Sequence, residues 1–314
     1  MDFVNKTFGL EGFSEDLNSA AQHDTYVETL SCKADSLHLR VKEHYEDSAS
    51  VLYGRFVKPL ILKQRLGVVD LIGDVSDEPF YGTVDGLFLH PWTGEAGVKA
   101  HFKFLVVSIL YRNKMIPFYA VVLRIGCNTA EFLGEAVTYC LNLRLKVRTI
   151  LLDRGFYSGD IIKTLDPKVK YLIFVPKKEL YRCMLEGTDR SVIVEHEITV
   201  NKNFNKYKVP TDIVLAKNVL TYDWVFATNL YLKDIERYVH VYRARWNIET
   251  MFRVQDEARI KSKSKIPVIR LFYFIISLLL VLLWNLHAKQ HTTFKKFVIT
   301  LLQDKSEVGT WATK

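Results

Sequence analysis

Sixteen consecutive residues without a charge, Leu271 to Leu286 (LFYFIISLLLVLLWNL), constrain this chain more than any other feature. A helix apolar on every side has two available environments: a bilayer, or the centre of a core large enough to surround it. A membrane span needs about 20 apolar residues, and this run is shorter and includes Ser277 and Asn285. Arg270 precedes it and His287 and Lys289 follow, so the flanks give no orientation signal. The expectation is therefore a core helix and no membrane partner, with a single span at 271–286 as the alternative reading. The chain can supply such a core, since 49% of its 314 residues are hydrophobic and 25% are charged.

The formal net charge of +8 favours a polyanionic partner without distinguishing nucleic acid from a membrane surface. Cys32, Cys127, Cys140 and Cys183 include no CxxC pair, which argues against a zinc knuckle and for free thiols in a reducing compartment. The N-terminus lacks a basic stretch followed by an apolar run, so no secretory signal is expected and the location is read as cytoplasmic.

Residues 1–62 read as a helical region, either a small DNA-end-binding module or a cap on the following domain. From Leu66 the pattern turns to strands: LGVVDLIGDVS, His101 to Tyr111, and Met115 to Arg124. Asp77 to Gly97 reads as a loop, and Arg112-Asn113-Lys114 as a hairpin connection. A helix capped by Asn128 or Thr129 follows, then a strand from Arg148 to Asp153, a short helix from Ser158 to Leu165, and a strand from Lys170 to Pro176. Three strands linked by short turns, then two reached by helical crossovers, imply an α/β fold with a mixed sheet flanked by helices, of the ribonuclease H-like kind. This domain is expected over 63–290. A β-rich insertion is expected at about 178–230, with no helix resuming in it. One helix is expected from Lys233 to Ile260, and 291–314 reads as a C-terminal tail.

Four carboxylates stand out. Asp70 lies in the apolar run VVDLI, where an unpartnered charge would be costly, so it either faces water from an edge strand or meets a cation. Asp74 is four residues on, shares its face, and is the rival for the same role. Asp153 ends a strand just before Gly155, at the kind of position where open α/β sheets build sites, although such carboxylates also serve as caps. On a helix, Tyr242, Arg245, Glu249, Arg253 and Asp256 would form one stripe, either functional or a solvated face of i,i+4 pairs. Asp70, Asp153 and Glu249 on separate elements are the preferred set. Two divalent ions held by them would suit phosphodiester chemistry, with Mg²⁺ as the natural hard cation.

At these residues the chain resembles the prokaryotic insertion-sequence transposases with a DDE catalytic domain, over about Gly67 to Leu286. VVDLIGDVSDEPFYG is similar to the first-aspartate strand, which is followed by a Tyr-Gly pair, here Tyr81-Gly82. LLDRGFYS is similar to the second-aspartate motif, and YRARWNIETMFR to the helix written Tyr-x2-Arg-x3-Glu-x6-Lys. The resemblance implies strand hydrolysis at transposon ends and transfer of the 3′-hydroxyl into target DNA. It implies Asp70, Asp153 and Glu249 as ligands of two Mg²⁺ ions, with Mn²⁺ as a substitute. Tyr242, Arg245, Arg253 and Arg154 would contact DNA, and a homodimer would pair the two ends at the nucleoid. Asp256 departs from the pattern, because it stands at the lysine position. Arg253, Arg259 or Lys261 could take that lysine's place. A nuclease that cuts without joining, and an inactive copy, remain alternatives.

Overall fold

The computed structural model describes residues 39–303, apart from 40, 44, 177, 203–204, 258, 260–261 and 288–291. Most of the expected N-terminal helical region, most of the C-terminal tail, and Lys261 lie outside the described residues. Helix α1 (Glu46–Lys63) leads into strands β1 (Val68–Phe80), β2 (His90–Pro91), β3 (Ala100–Tyr111) and β4 (Lys114–Leu123). Then come α2 (Thr129–Asn142), β5 (Lys146–Leu152), a 3₁₀ turn (Arg154–Phe156), α3 (Gly159–Leu165) and β6 (Tyr171–Phe174). The chain continues through α4 (Glu179–Glu186), β7 (Val192–Lys202), β8 (Asn205–Val219), β9 (Tyr222–Thr228), α5 (Glu236–Arg243), α6 (Trp246–Asp256), α7 (Pro267–His287) and α8 (Phe294–Gln303).

The strands form one mixed sheet in the order β2-β3-β1-β5-β6-β9-β8-β7, with β4 also paired to β3. β1, β3 and β4 are antiparallel neighbours. Arg112 and Asn113 turn the β3–β4 hairpin with φ of 49° and 62°, the two positive values that a tight two-residue loop needs. β5 and β6 are added in parallel, each after a helix, as the strand–helix alternation implies. The β-rich segment then continues the same sheet, because β9 pairs antiparallel with β6.

Three expectations shift. β1 runs on through Glu78 to the buried Phe80, so the expected loop starts later. Helix α4 opens the β-rich stretch, burying Tyr181 and Leu185 on one side, a pair too short to declare itself by periodicity. The long helix before α7 breaks in two at Ala244-Arg245, and this turn sets Arg245 against the sheet.

The two faces of the sheet are covered differently. Gly73 faces α2: a Cβ there would meet Leu152 at 2.7 Å and Leu133 at 3.3 Å, so only glycine allows this approach. The opposite face meets α6 and α7, where Phe104 stacks on Phe274 at 4.2 Å and Ser108 contacts Met251. Helix α7 carries the uncharged run. It is long and apolar enough to cross a membrane, but 83% of its most apolar window is buried inside the protein. Its apolar surface is covered by β4, α1 and α6, which is what an all-round apolar core helix requires.

Candidate active site

The site grows from one face of β1. Side chains alternate along a strand, so Asp70, Asp74 and Glu78 lie on the α6–α7 side in a four-residue repeat. Each carboxylate meets a different arginine. Asp70 is held by Arg148, Asp74 by Arg245, and Glu78 by Arg259 and Arg270. Burial would otherwise make each charge costly, and the pairing offsets that cost.

Asp74 is the member that joins the other candidate residues. Arg245 Nη1 donates to Asp74 Oδ2 at 2.9 Å, and Arg245 Nη2 donates to Glu249 Oε1. The Val75 amide donates to Asp74 Oδ1 at 2.9 Å. In β5, Leu152 is the register partner of Gly73, so Asp74, midway along β1, and Asp153, just past the C-terminal end of β5, lie one step beyond the last parallel pair. Asp153 accepts the Gly155 amide at 2.9 Å, which holds the following 3₁₀ turn. Burial raises the Asp74 carboxyl from 3.8 to about 6; Arg245 lowers it, while the charges of Asp153 and Glu249 raise it further. The three carboxylates therefore share one electrostatic site.

Asp70 is not in that site. It is 6% exposed and accepts Arg148 Nε at 2.8 Å and Arg148 Nη2. The register of β1 on β5 slips between Val69 and Asp70: Val69 faces Val147, whereas Asp70 faces Thr149. Arg148 is the extra residue of this bulge, and bulges re-aim side chains. The cation that a buried Asp70 demanded is thus a guanidinium, and the structure brings Asp74 rather than Asp70 to Asp153 and Glu249. One signal for this was in the sequence. If the two aspartate-bearing strands are parallel neighbours, the carboxylate nearer the C-terminal end of the first strand is the one level with Asp153.

The residues expected to contact DNA separate by exposure. Tyr242 is 4% exposed and packed against Phe226 at 5.0 Å, Phe174 at 5.6 Å and Trp224 at 6.3 Å, so its ring has no open face for a DNA contact. Burial raises its hydroxyl pKa well above the ordinary value. Arg245 is 8% exposed and turned to the two carboxylates rather than outward. Arg154 and Arg253 are exposed. Asp256, at the signature lysine position, pairs with Arg259, which also holds Glu78. Arg259 is committed to the interior, and of the two described candidates Arg253 is the exposed one. Trp246 is exposed, with the Arg243 guanidinium 5.3 Å from its ring centre.

The donor set suits a hard divalent cation: three carboxylates on three elements, with Asp74 raised mainly by burial and further by the other two charges. The countercharge between Asp74 and Glu249 is here the Arg245 guanidinium. Among the described residues no three acidic, histidine or cysteine side chains are grouped closely enough to ligate one ion. The chemistry fits a metal, while the present spacing fits the arginine.

A mixed sheet with an acidic cluster where the parallel pairing of two strands ends, closed by a glutamate-bearing helix, defines an α/β protein of the DDE transposase fold. The sequence profile described as "Transposase DDE domain" matches residues 88–284, more than half of the chain, and the chain belongs to that family. The matched region contains Asp153 and Glu249 and begins after β1. Among solved structures the chain is similar to a piggyBac transposase, seen by cryo-electron microscopy in a synaptic complex with hairpin DNA. The TM-score is 0.52 and the identity 14%, covering 99% of this chain and 70% of that one. No curated protein matches the chain.

Proposed function

We propose that this protein hydrolyses a DNA strand at each end of a mobile element and joins the freed 3′-hydroxyl to target DNA, with Asp74, Asp153 and Glu249 as its metal-binding carboxylates. One observation carries the reading: Arg245 bridges Asp74 to Glu249 one step beyond the last β1–β5 pair, level with Asp153, in a chain of this family. Bound magnesium, or manganese in its place, would supply a deprotonated nucleophile at neutral pH and charge stabilisation of the leaving oxygen.

The chain's own residues do the positioning. Arg245 orients Asp74 and Glu249, holds them together and offsets their charges. The buried Tyr242 ring supports that arginine, its centre 5.8 Å from the guanidinium. Arg154 and Arg253 are the exposed cations for phosphates. Two element ends handled together imply a homodimer, acting on the nucleoid in the cytoplasm.

The test is magnesium- or manganese-dependent nicking of DNA carrying the inverted repeats that flank the gene. Asp74→Asn, Asp153→Asn and Glu249→Gln each reduce nicking below detection, whereas Asp70→Asn retains it within about tenfold, the scale of a lost DNA contact. Nicking that survives all three changes would sink the metal-site assignment. Loss with Asp70→Asn and survival with Asp74→Asn would return the role to Asp70.

A further inference from the structure

We propose that the cavity beside Asp70 is a second phosphate site, which grips the backbone of bound DNA away from the scissile bond. This rests on the transposase reading and adds a substrate-holding position to it. The cavity has a volume of about 430 Å³ and is lined by Asp70, Arg148, Arg237, His240, Val241 and Ala244. Its lining combines one buried carboxylate with three basic side chains.

Asp70 takes up Nε and Nη2 of Arg148, which fixes the plane of the guanidinium. Nη1 of Arg148 has no acceptor among the described residues, and this side chain is 60% exposed. Arg237 and His240 are exposed on α5, and among the described residues neither side chain has an ion-pair or hydrogen-bond partner. Three basic groups from two elements thus converge on one concavity whose single carboxylate is already committed. Two guanidiniums with an imidazole beside them favour an anion, and an arginine held rigid by a carboxylate is pre-organised to bind one.

The position selects DNA as the source of that anion. Asp70 and Asp74 share one face of β1, four residues apart, which separates cavity and carboxylate cluster by roughly 13 Å along the strand. Phosphates on one strand of a duplex recur about every 3.4 Å of axis, so a single bound duplex reaches both places within a few nucleotides. Val241 and Ala244 give the cavity an apolar wall on which a sugar can rest.

The experiment measures binding of a fluorescein-labelled duplex of arbitrary sequence to the full chain by anisotropy, over a series of salt concentrations without divalent metal. Arg237→Gln weakens binding and lowers the slope of log K against log salt by about 1, the signature of one lost phosphate contact. Arg148→Gln does the same, and circular dichroism checks its fold, because it leaves Asp70 without its partner. Lys58→Gln, on α1 and outside the cavity, leaves the slope unchanged. Slopes equal to wild type in both arginine variants overturn the proposal. So does stabilisation by inorganic phosphate at matched ionic strength that is lost in Arg237→Gln while the DNA slope stays the same, since the cavity would then serve a small anion. Nicking is scored separately. Normal nicking with unchanged slopes rejects the cavity alone, whereas lowered slopes in a protein that never nicks support the cavity and reject the transposase reading.

Discussion

Arg245 Nη1 and Asp74 Oδ2, 2.9 Å apart, tie the turn between α5 and α6 to the centre of strand β1. The same guanidinium reaches Glu249, so one side chain sets the spacing of two of the three clustered carboxylates. A helix-borne glutamate and a strand-borne aspartate are thereby held together by a cation belonging to the chain.

Replacing that cation is expected to cost stability. Arg245→Met removes the partner of a largely buried carboxylate, and should destabilise the protein by about 3 kcal/mol at pH 7. That is the low end for a broken buried pair, because Asp74 relieves part of the cost by taking up a proton. Urea unfolding of the variant beside wild type measures it. An unchanged midpoint would mean that the pair contributes nothing net.

Asp74 also makes a pH dependence. Its carboxyl is raised from 3.8 to about 6, so the native state holds a proton that the unfolded chain releases. The resulting stability is fully present below about pH 4 and is lost as pH rises through about 6. A shift of about two pH units corresponds to at most about 3 kcal/mol. Unfolding free energies compared over this window should fall with pH in wild type relative to Asp74→Asn. Parallel curves for the two proteins would contradict the raised carboxyl.

Metal binding should be visible without catalysis. If Asp74, Asp153 and Glu249 hold a divalent ion, magnesium at tenfold excess over its Kd stabilises the folded state by about 1.4 kcal/mol. Thermal unfolding at neutral pH should therefore shift upward with magnesium or manganese in wild type, and much less in Asp74→Asn. Below about pH 6 the shift should shrink, since a protonated Asp74 competes with the ion.

Glu78 anchors the far end of the same strand face. It pairs with Arg270 and with Arg259 at 3.2 Å, and both arginines are buried against Phe104, Phe274, Phe80 and Phe102. Burial lowers the Arg270 pKa while Glu78 raises it. Glu78→Gln leaves two guanidiniums in the core with no buried carboxylate, and should cost about 3–5 kcal/mol by urea unfolding. A loss below about 1 kcal/mol, the range of exposed pairs, would show that water reaches the cluster.

Much of this was legible from residue order. The alternation of strands and helices implied antiparallel strands followed by parallel additions, and β1, β3, β4, β5 and β6 have that arrangement. Asp153 and Glu249 sit where a strand end and a helix were expected. Helix α4 was missed because eight residues carry too little periodicity, and the long helix was read as continuous because no Gly or Pro marks its break.

The sequence by itself determined the local periods, the glutamate-bearing helix, and the need to surround Leu271 to Leu286 with apolar partners. It favoured Asp70 over Asp74 for its apolar flanks, although both lie on the same face of one strand and local pattern alone does not show which charges approach them. Tertiary structure gives them different partners through two long-range events. A bulge in β5 turned Arg148 onto Asp70, and the α5–α6 turn brought Arg245 and Glu249 to Asp74. A carboxylate's role depends on which charges approach it through space, and that is settled by strand register and helix packing rather than by its neighbours in the chain.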